Sequence, residues 1–254
     1  MSQATMTRPA GAGTDAQLSF YVIMSTVCLT VAVLGFGPSF FLPLAQGTFV
    51  RPPVFYIHGL LFFSWTLFFC SQTWLVARGK VLSHRDWGVL GAALAAAMAF
   101  SVMTVVVVRL NQTPQIPAGP GSATFAWVDV SGLAFFGTCV VLAMMNTRRT
   151  ETHKRLMLLA TLSLLNAPIA RWGVVLYGAH AGGPASFLEA QWFNLVAVAL
   201  MLIPIGQDLR TERKVSTVYL VGVPIYLVMC LTWPLIWSSP AWTAAAKAIQ
   251  HIGG

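Results

Sequence analysis

Residues 87–109, WGVLGAALAAAMAFSVMTVVVVR, decide the fold. No charged side chain interrupts them between Trp87 and Val108. At 1.5 Å per residue, a helix of this length reaches about 34 Å, enough to cross a hydrocarbon layer of about 30 Å. Six further runs of the same character lie at 18–44, 54–77, 124–146, 155–178, 188–207 and 216–238. They are continuously apolar rather than alternating, which argues against a transmembrane β-barrel. The composition agrees: 57% of the 254 residues are hydrophobic, 9% are charged and the mean hydropathy is +0.73, whereas soluble domains carry about 25% charged residues. The expected fold is therefore all-α, a polytopic bundle of seven transmembrane helices, or six if the first run lies flat at the interface.

Loop charge sets the expected orientation. Arg78, Lys80 and Arg85 follow the second run; Arg148, Arg149, Lys154 and Arg155 follow the fourth; Arg210, Arg213 and Lys214 follow the sixth. With Arg8, these place eleven basic residues on one side, against Arg51, Arg109 and Lys247 on the other. The positive-inside rule then puts the N-terminus in the cytoplasm. Residues 1–16 read as a disordered cytoplasmic leader, 17–238 as one transmembrane domain and 239–254 as a periplasmic tail. A cleaved signal peptide is not expected, because the first apolar run is much longer than a signal core and no small-residue cleavage site follows it. The formal charge of +8 does not indicate nucleic acid, since the basic residues sit in short loops where they meet lipid headgroups. The expected partners are the lipid bilayer and either another membrane protein or a second copy of the chain. Cys28, Cys70, Cys139 and Cys230 all lie inside apolar runs without CxxC spacing and read as small core side chains.

Two basic loops resemble one another: RGKVLSHRDWGVLGAAL (78–94) and TRRTETHKRLMLLATLSL (147–164) align His84 with His153. Ser83 and Thr152, just before the histidines, read as helix N-caps, and Ser83 with Asp86 has capping-box spacing. Either a two-span unit is duplicated or two helix starts share interfacial chemistry. HGLLFFSWTLFFCSQTWLVARGKVLSHRDWGVLG (58–91) together with THKRLMLLATLSLLNAPIARW (152–172) resembles a family of uncharacterised bacterial multi-span inner-membrane proteins over roughly residues 35–175. The resemblance to b-type cytochrome membrane domains is looser, because those carry their histidines within spans. The first resemblance implies a bacterial inner-membrane protein and no particular activity.

Ionisable groups at membrane depth are costly and tend to mark function. His58, Asp129, Arg171, Gln191 and Asn194, with Glu189 and His180 at the rim, fall in one layer near the periplasmic side, and Asp129 and Glu189 are the only acids away from the cytoplasmic face. An Arg171–Asp129 or Arg171–Glu189 ion pair is expected there, either as a lock between helices or as part of a ligand pocket. His58, Trp65 and Gln72, spaced by sevens, share a stripe that should face protein. His153 and Arg171 stand 18 residues apart, five full turns, and on one unbroken helix would point the same way. His84 and His153 form a second, cytoplasmic layer, where the helix N-terminus favours the neutral imidazole that a metal or haem iron requires. His58, His84, His153 and His180 are thus the candidate metal or haem ligands, with haem b the candidate cofactor. Pro38, Pro168, Pro204 and Pro224 fall inside spans and predict kinks. No phosphate-binding loop, HExxH or nucleophile elbow is present, so no reaction is legible. Three roles follow: a cofactor- or ligand-binding membrane protein, a transporter, or a non-catalytic auxiliary or assembly subunit of a membrane complex.

Overall fold

A computed structural model describes residues 10–111, 122–177 and 187–252; side chains are described for all but the first nine and last two of these and those bordering the two internal gaps. Among the described residues every regular element is helical. The helices are α1 Ala10–Phe36, a π-helical turn Gly37–Phe41, α2 Leu42–Ala45, α3 Pro53–Ala77, α4 Val81–Asn111, α5 Ser122–Met145, α6 Thr150–Ser163, α7 Asn166–Tyr177, α8 Phe187–Glu212, α9 Thr217–Trp237 and α10 Pro240–Ile252. Six stretches, Ser19–Ala45, Pro53–Ala77, Val81–Asn111, Ala123–Met145, Gln191–Glu212 and Thr217–Trp237, are long and apolar enough to cross a membrane. The protein is an all-α polytopic membrane bundle. α1 begins at Ala10, inside the stretch expected to be a leader.

The stretch expected as the fifth span is two helices. Proline lacks an N–H, and its ring would strike the carbonyl four residues back. That residue is Leu164, and the α-helix stops there. Leu164 and Leu165 instead make tighter bonds to Thr161 O (3.2 Å) and Leu162 O (3.1 Å), before α7 restarts at Asn166. The Ser163 carbonyl at the break accepts a hydrogen bond from the Tyr226 hydroxyl of α9 at 3.3 Å. Pro38 likewise coincides with the π-helical turn. By contrast, α8 and α9 run on through Pro204 and Pro224.

The break separates two environments. From Arg155 to Ser163, α6 is buried at every residue except Met157. It packs against α1, α5, α8 and α9, while Trp65 of α3 donates its indole N–H to Thr161 Oγ1 at 3.2 Å. It therefore occupies the bundle axis at the end carrying the basic loops. Beyond the break α7 packs against α1, α8 and the π-helical turn, so the chain leaves the axis. Gly35 makes this possible: a Cβ there would lie 2.4 Å from Pro168 Cβ and 2.5 Å from Pro168 O.

The predicted α3 stripe faces protein, with Trp65 fully buried, Gln72 and Phe69 also buried, and the Trp65 ring 4.9 Å from Phe136 of α5. Cys28, Cys139 and Cys230 are buried and Cys70 half-buried, all as free thiols. At the opposite end, residues expected as a tail form α10. Trp242 donates to Ala123 O at 2.8 Å, and Gln250 to Leu110 O at 3.1 Å, docking this helix across the ends of α4 and α5.

Candidate functional site

Polar side chains gather at both ends of the bundle. At the end away from the basic loops, His58 of α3 contacts Ser101 Oγ of α4 through Nδ1 at 3.3 Å. The Ser101 hydroxyl already donates to Met98 O at 2.8 Å, so it accepts from His58, which places the imidazole proton on Nδ1 and the lone pair on Nε2. The ring lies over Phe62, with centroids 4.4 Å apart.

Asp129 of α5 pairs with Arg109 of α4 at 3.0 Å. This corrects the expected Arg171–Asp129 pair. Because the helix breaks before Pro168, α7 is carried towards α1, and the Arg171 guanidinium lies 5.3 Å over the Phe36 ring in an exposed residue. The phase relation between His153 and Arg171 fails for the same reason, since no single helix joins them. Sequence reasoning misses Arg109 because the apolar run ends with it, whereas α4 continues to Asn111.

Gln191 and Asn194, one turn apart on α8, are each 1% exposed. Asn194 Nδ2 donates to Gln191 Oε1 at 2.7 Å. The remaining two amide atoms, Gln191 Nε2 and Asn194 Oδ1, are buried without a hydrogen-bond partner. Glu189 lies on α8, but its side chain is outside the described residues, as is His180 altogether.

At the basic-loop end, one arginine organises three helices. Arg155 of α6 is 2% exposed. Its Nη2 and Nε contact Asp208 of α8 at 2.9 and 3.2 Å, and its Nη1 contacts Glu151 at 2.6 Å. Nη2 also meets Glu212. Asp208, 4% exposed, accepts the Ser216 N–H at 3.0 Å as well, which ties in the start of α9. By sequence Arg155 is one of the basic loop residues and Glu151, Asp208 and Glu212 fall on the same face, but nothing in their spacing shows that they converge. Partial burial would raise the Glu151 carboxyl, but the Lys154 hydrogen bond and charge, with Arg155 behind them, hold it below the ordinary glutamate range. The stabilisation from this contact is therefore present above the unfolded glutamate value and lost as pH falls through the lowered one. The unfolding temperature of the detergent-solubilised protein is expected to fall on acidification below about pH 4.3, and Glu151→Gln should flatten that dependence.

His84 and His153 also meet at this end, with ring centroids 6.3 Å apart and planes at 77°. The two helix starts correspond closely: each histidine is the fourth residue of its helix, and its N–H bonds to Lys80 O or Arg149 O at 3.0 and 2.9 Å. The expected N-caps are corrected here, since Ser83 and Thr152 lie inside the helices and Arg149 caps α6 without a side-chain bond. His58 lies far from this pair, roughly 21 Å along α3 from Gln72. Among the described residues no three His, Cys, Asp or Glu side chains gather to hold a metal.

No family model, curated protein or solved structure matches this chain. The residues themselves carry the functional argument.

Proposed function

We propose that the protein is a bacterial inner-membrane protein, N-terminus in the cytoplasm, whose periplasm-facing polar layer binds a small ligand. The excess of basic residues in three loops supports the orientation, and the resemblance of residues 35–175 to bacterial inner-membrane proteins supports the compartment. In this reading α6 and α7 cross together as the fifth of seven spans.

The observation that carries the reading is the Gln191–Asn194 amide pair. A buried polar atom without a partner costs about 1–3 kcal/mol, and here a donor and an acceptor stand orphaned on one helix face. They belong to the half of the bundle where α7 has left the axis, in the layer that holds His58, Arg109 and Asp129. Two charges at 25% and 29% side-chain exposure are too costly to face lipid tails and are suited to a water-accessible recess. A ligand with adjacent acceptor and donor groups satisfies both amide atoms.

Replacing the pair by apolar residues of similar size, Gln191→Met with Asn194→Leu, is expected to leave thermal stability unchanged or raised. Native mass spectrometry should show a small molecule on the wild type and none on the variant. A variant that unfolds several degrees earlier would mark the amides as purely architectural and end this reading. The break between α6 and α7, which leaves helix ends inside the bundle, favours transport as the second reading. Ligand flux in reconstituted vesicles separates carriage from binding alone.

A further inference from the structure

We propose that His84 and His153 hold a nitrogen-seeking metal ion between their imidazoles at the basic-loop end, either a free transition-metal ion or a haem iron. Three observations converge on this site, which is independent of the ligand layer at the other end of the bundle.

The first is the tautomer of His153. Its Nδ1 lies 2.9 Å from Ala143 O. A carbonyl only accepts, so Nδ1 carries the proton and Nε2 presents its lone pair. A backbone carbonyl fixing the second nitrogen is the usual outer support of a metal-bound histidine.

The second is the unpartnered state of His84, whose Nδ1 is buried without a hydrogen bond. Gln72 adds to this deficit. It is 7% exposed, and its Oε1 is also buried and unpartnered. Trp65 and Thr161 are bonded across α3 and α6, which run antiparallel. Gln72 lies seven residues beyond Trp65 towards the basic loops, and His153 eight residues beyond Thr161 in the same direction. Rises of about 10.5 and 12 Å bring the two to one level.

The third is the spacing. With metal–nitrogen bonds of about 2.0–2.1 Å, two imidazoles on one ion put their ring centres roughly 5 Å apart at a tetrahedral angle and roughly 6.3 Å apart in line. The observed 6.3 Å fits the in-line arrangement. The described residues bring no third His, Cys or carboxylate to the pair, so further coordination falls to water or a macrocycle. Imidazole nitrogen suits zinc, copper, nickel and iron and does not suit magnesium or calcium.

The test uses the full chain in detergent, stripped with a chelator and then titrated separately with Zn²⁺, Cu²⁺, Ni²⁺, Mg²⁺ and hemin. A free-ion site binds one copper or nickel ion per chain, which accept trans imidazoles, and raises the unfolding temperature, with weaker zinc binding and no response to Mg²⁺. A haem site instead gives a low-spin bis-imidazole Soret spectrum. His84→Gln and His153→Gln, the latter keeping a donor for Ala143 O, should each weaken the preferred ligand at least about tenfold. Wild-type protein that takes up neither ions nor hemin overturns the proposal, as does equal affinity in the two variants. If the variants fail to fold, the wild-type contrast between Cu²⁺ or hemin and Mg²⁺ still decides it. Loss of this site leaves the Gln191–Asn194 ligand unaffected.

Discussion

Arg155→Met is expected to destabilise the protein by about 3–5 kcal/mol, the usual cost of removing one partner from a buried ion pair. The substitution keeps volume and helix propensity, so the loss isolates the charge. It leaves Asp208, 4% exposed, with the Ser216 N–H but no guanidinium, and leaves Glu151 and Glu212 turned towards the same spot. Arg155→Lys should be intermediate, because an ammonium lacks the planar fork that reaches several carboxylates at once. The double variant Arg155→Met with Asp208→Leu should recover much of the loss, since well-packed apolar side chains often replace a buried pair without net cost. Unfolding in a mixed-detergent titration reads the order directly. A single variant as stable as wild type would show that the three-helix charge network does not form.

Gly35→Ala carries the second large effect. The new methyl would meet Pro168 Cβ at 2.4 Å and the Pro168 carbonyl at 2.5 Å. Neither atom can move without displacing α7 from α1, and overpacking a rigid contact costs about 1–3 kcal/mol. Gly222 supplies the control. Its added Cβ meets Leu159 Cδ2 at 2.3 Å, but that atom ends a flexible side chain that can change rotamer. Gly222→Ala should therefore cost clearly less than Gly35→Ala in the same unfolding assay. Equal losses would mean that α1 and α7 do not meet backbone to backbone.

What the sequence determined by itself was set by the solvent. Apolar runs such as 87–109 can only be satisfied as helices in lipid, because every backbone polar group must be bonded within its own segment. Fold class, the positions of six apolar spans and the protein-facing stripe of Trp65 and Gln72 follow from that one-dimensional constraint, whereas the expected fifth span is two helices. The meeting of His84 with His153 was half legible, as an internal repeat that aligned them without showing that they touch. Partner choice was not legible, because it depends on how helices rotate and cross. Arg171 is parted from Asp129 by a break at Leu164–Leu165 that carries α7 to Gly35, and Arg109 takes its place because α4 continues to Asn111. Arg155 stands more than fifty residues from Asp208 and Glu212, and the three become a network only where α6 occupies the bundle axis. Burial and pairing of charges are properties of three-dimensional packing, and only the tertiary structure decided them.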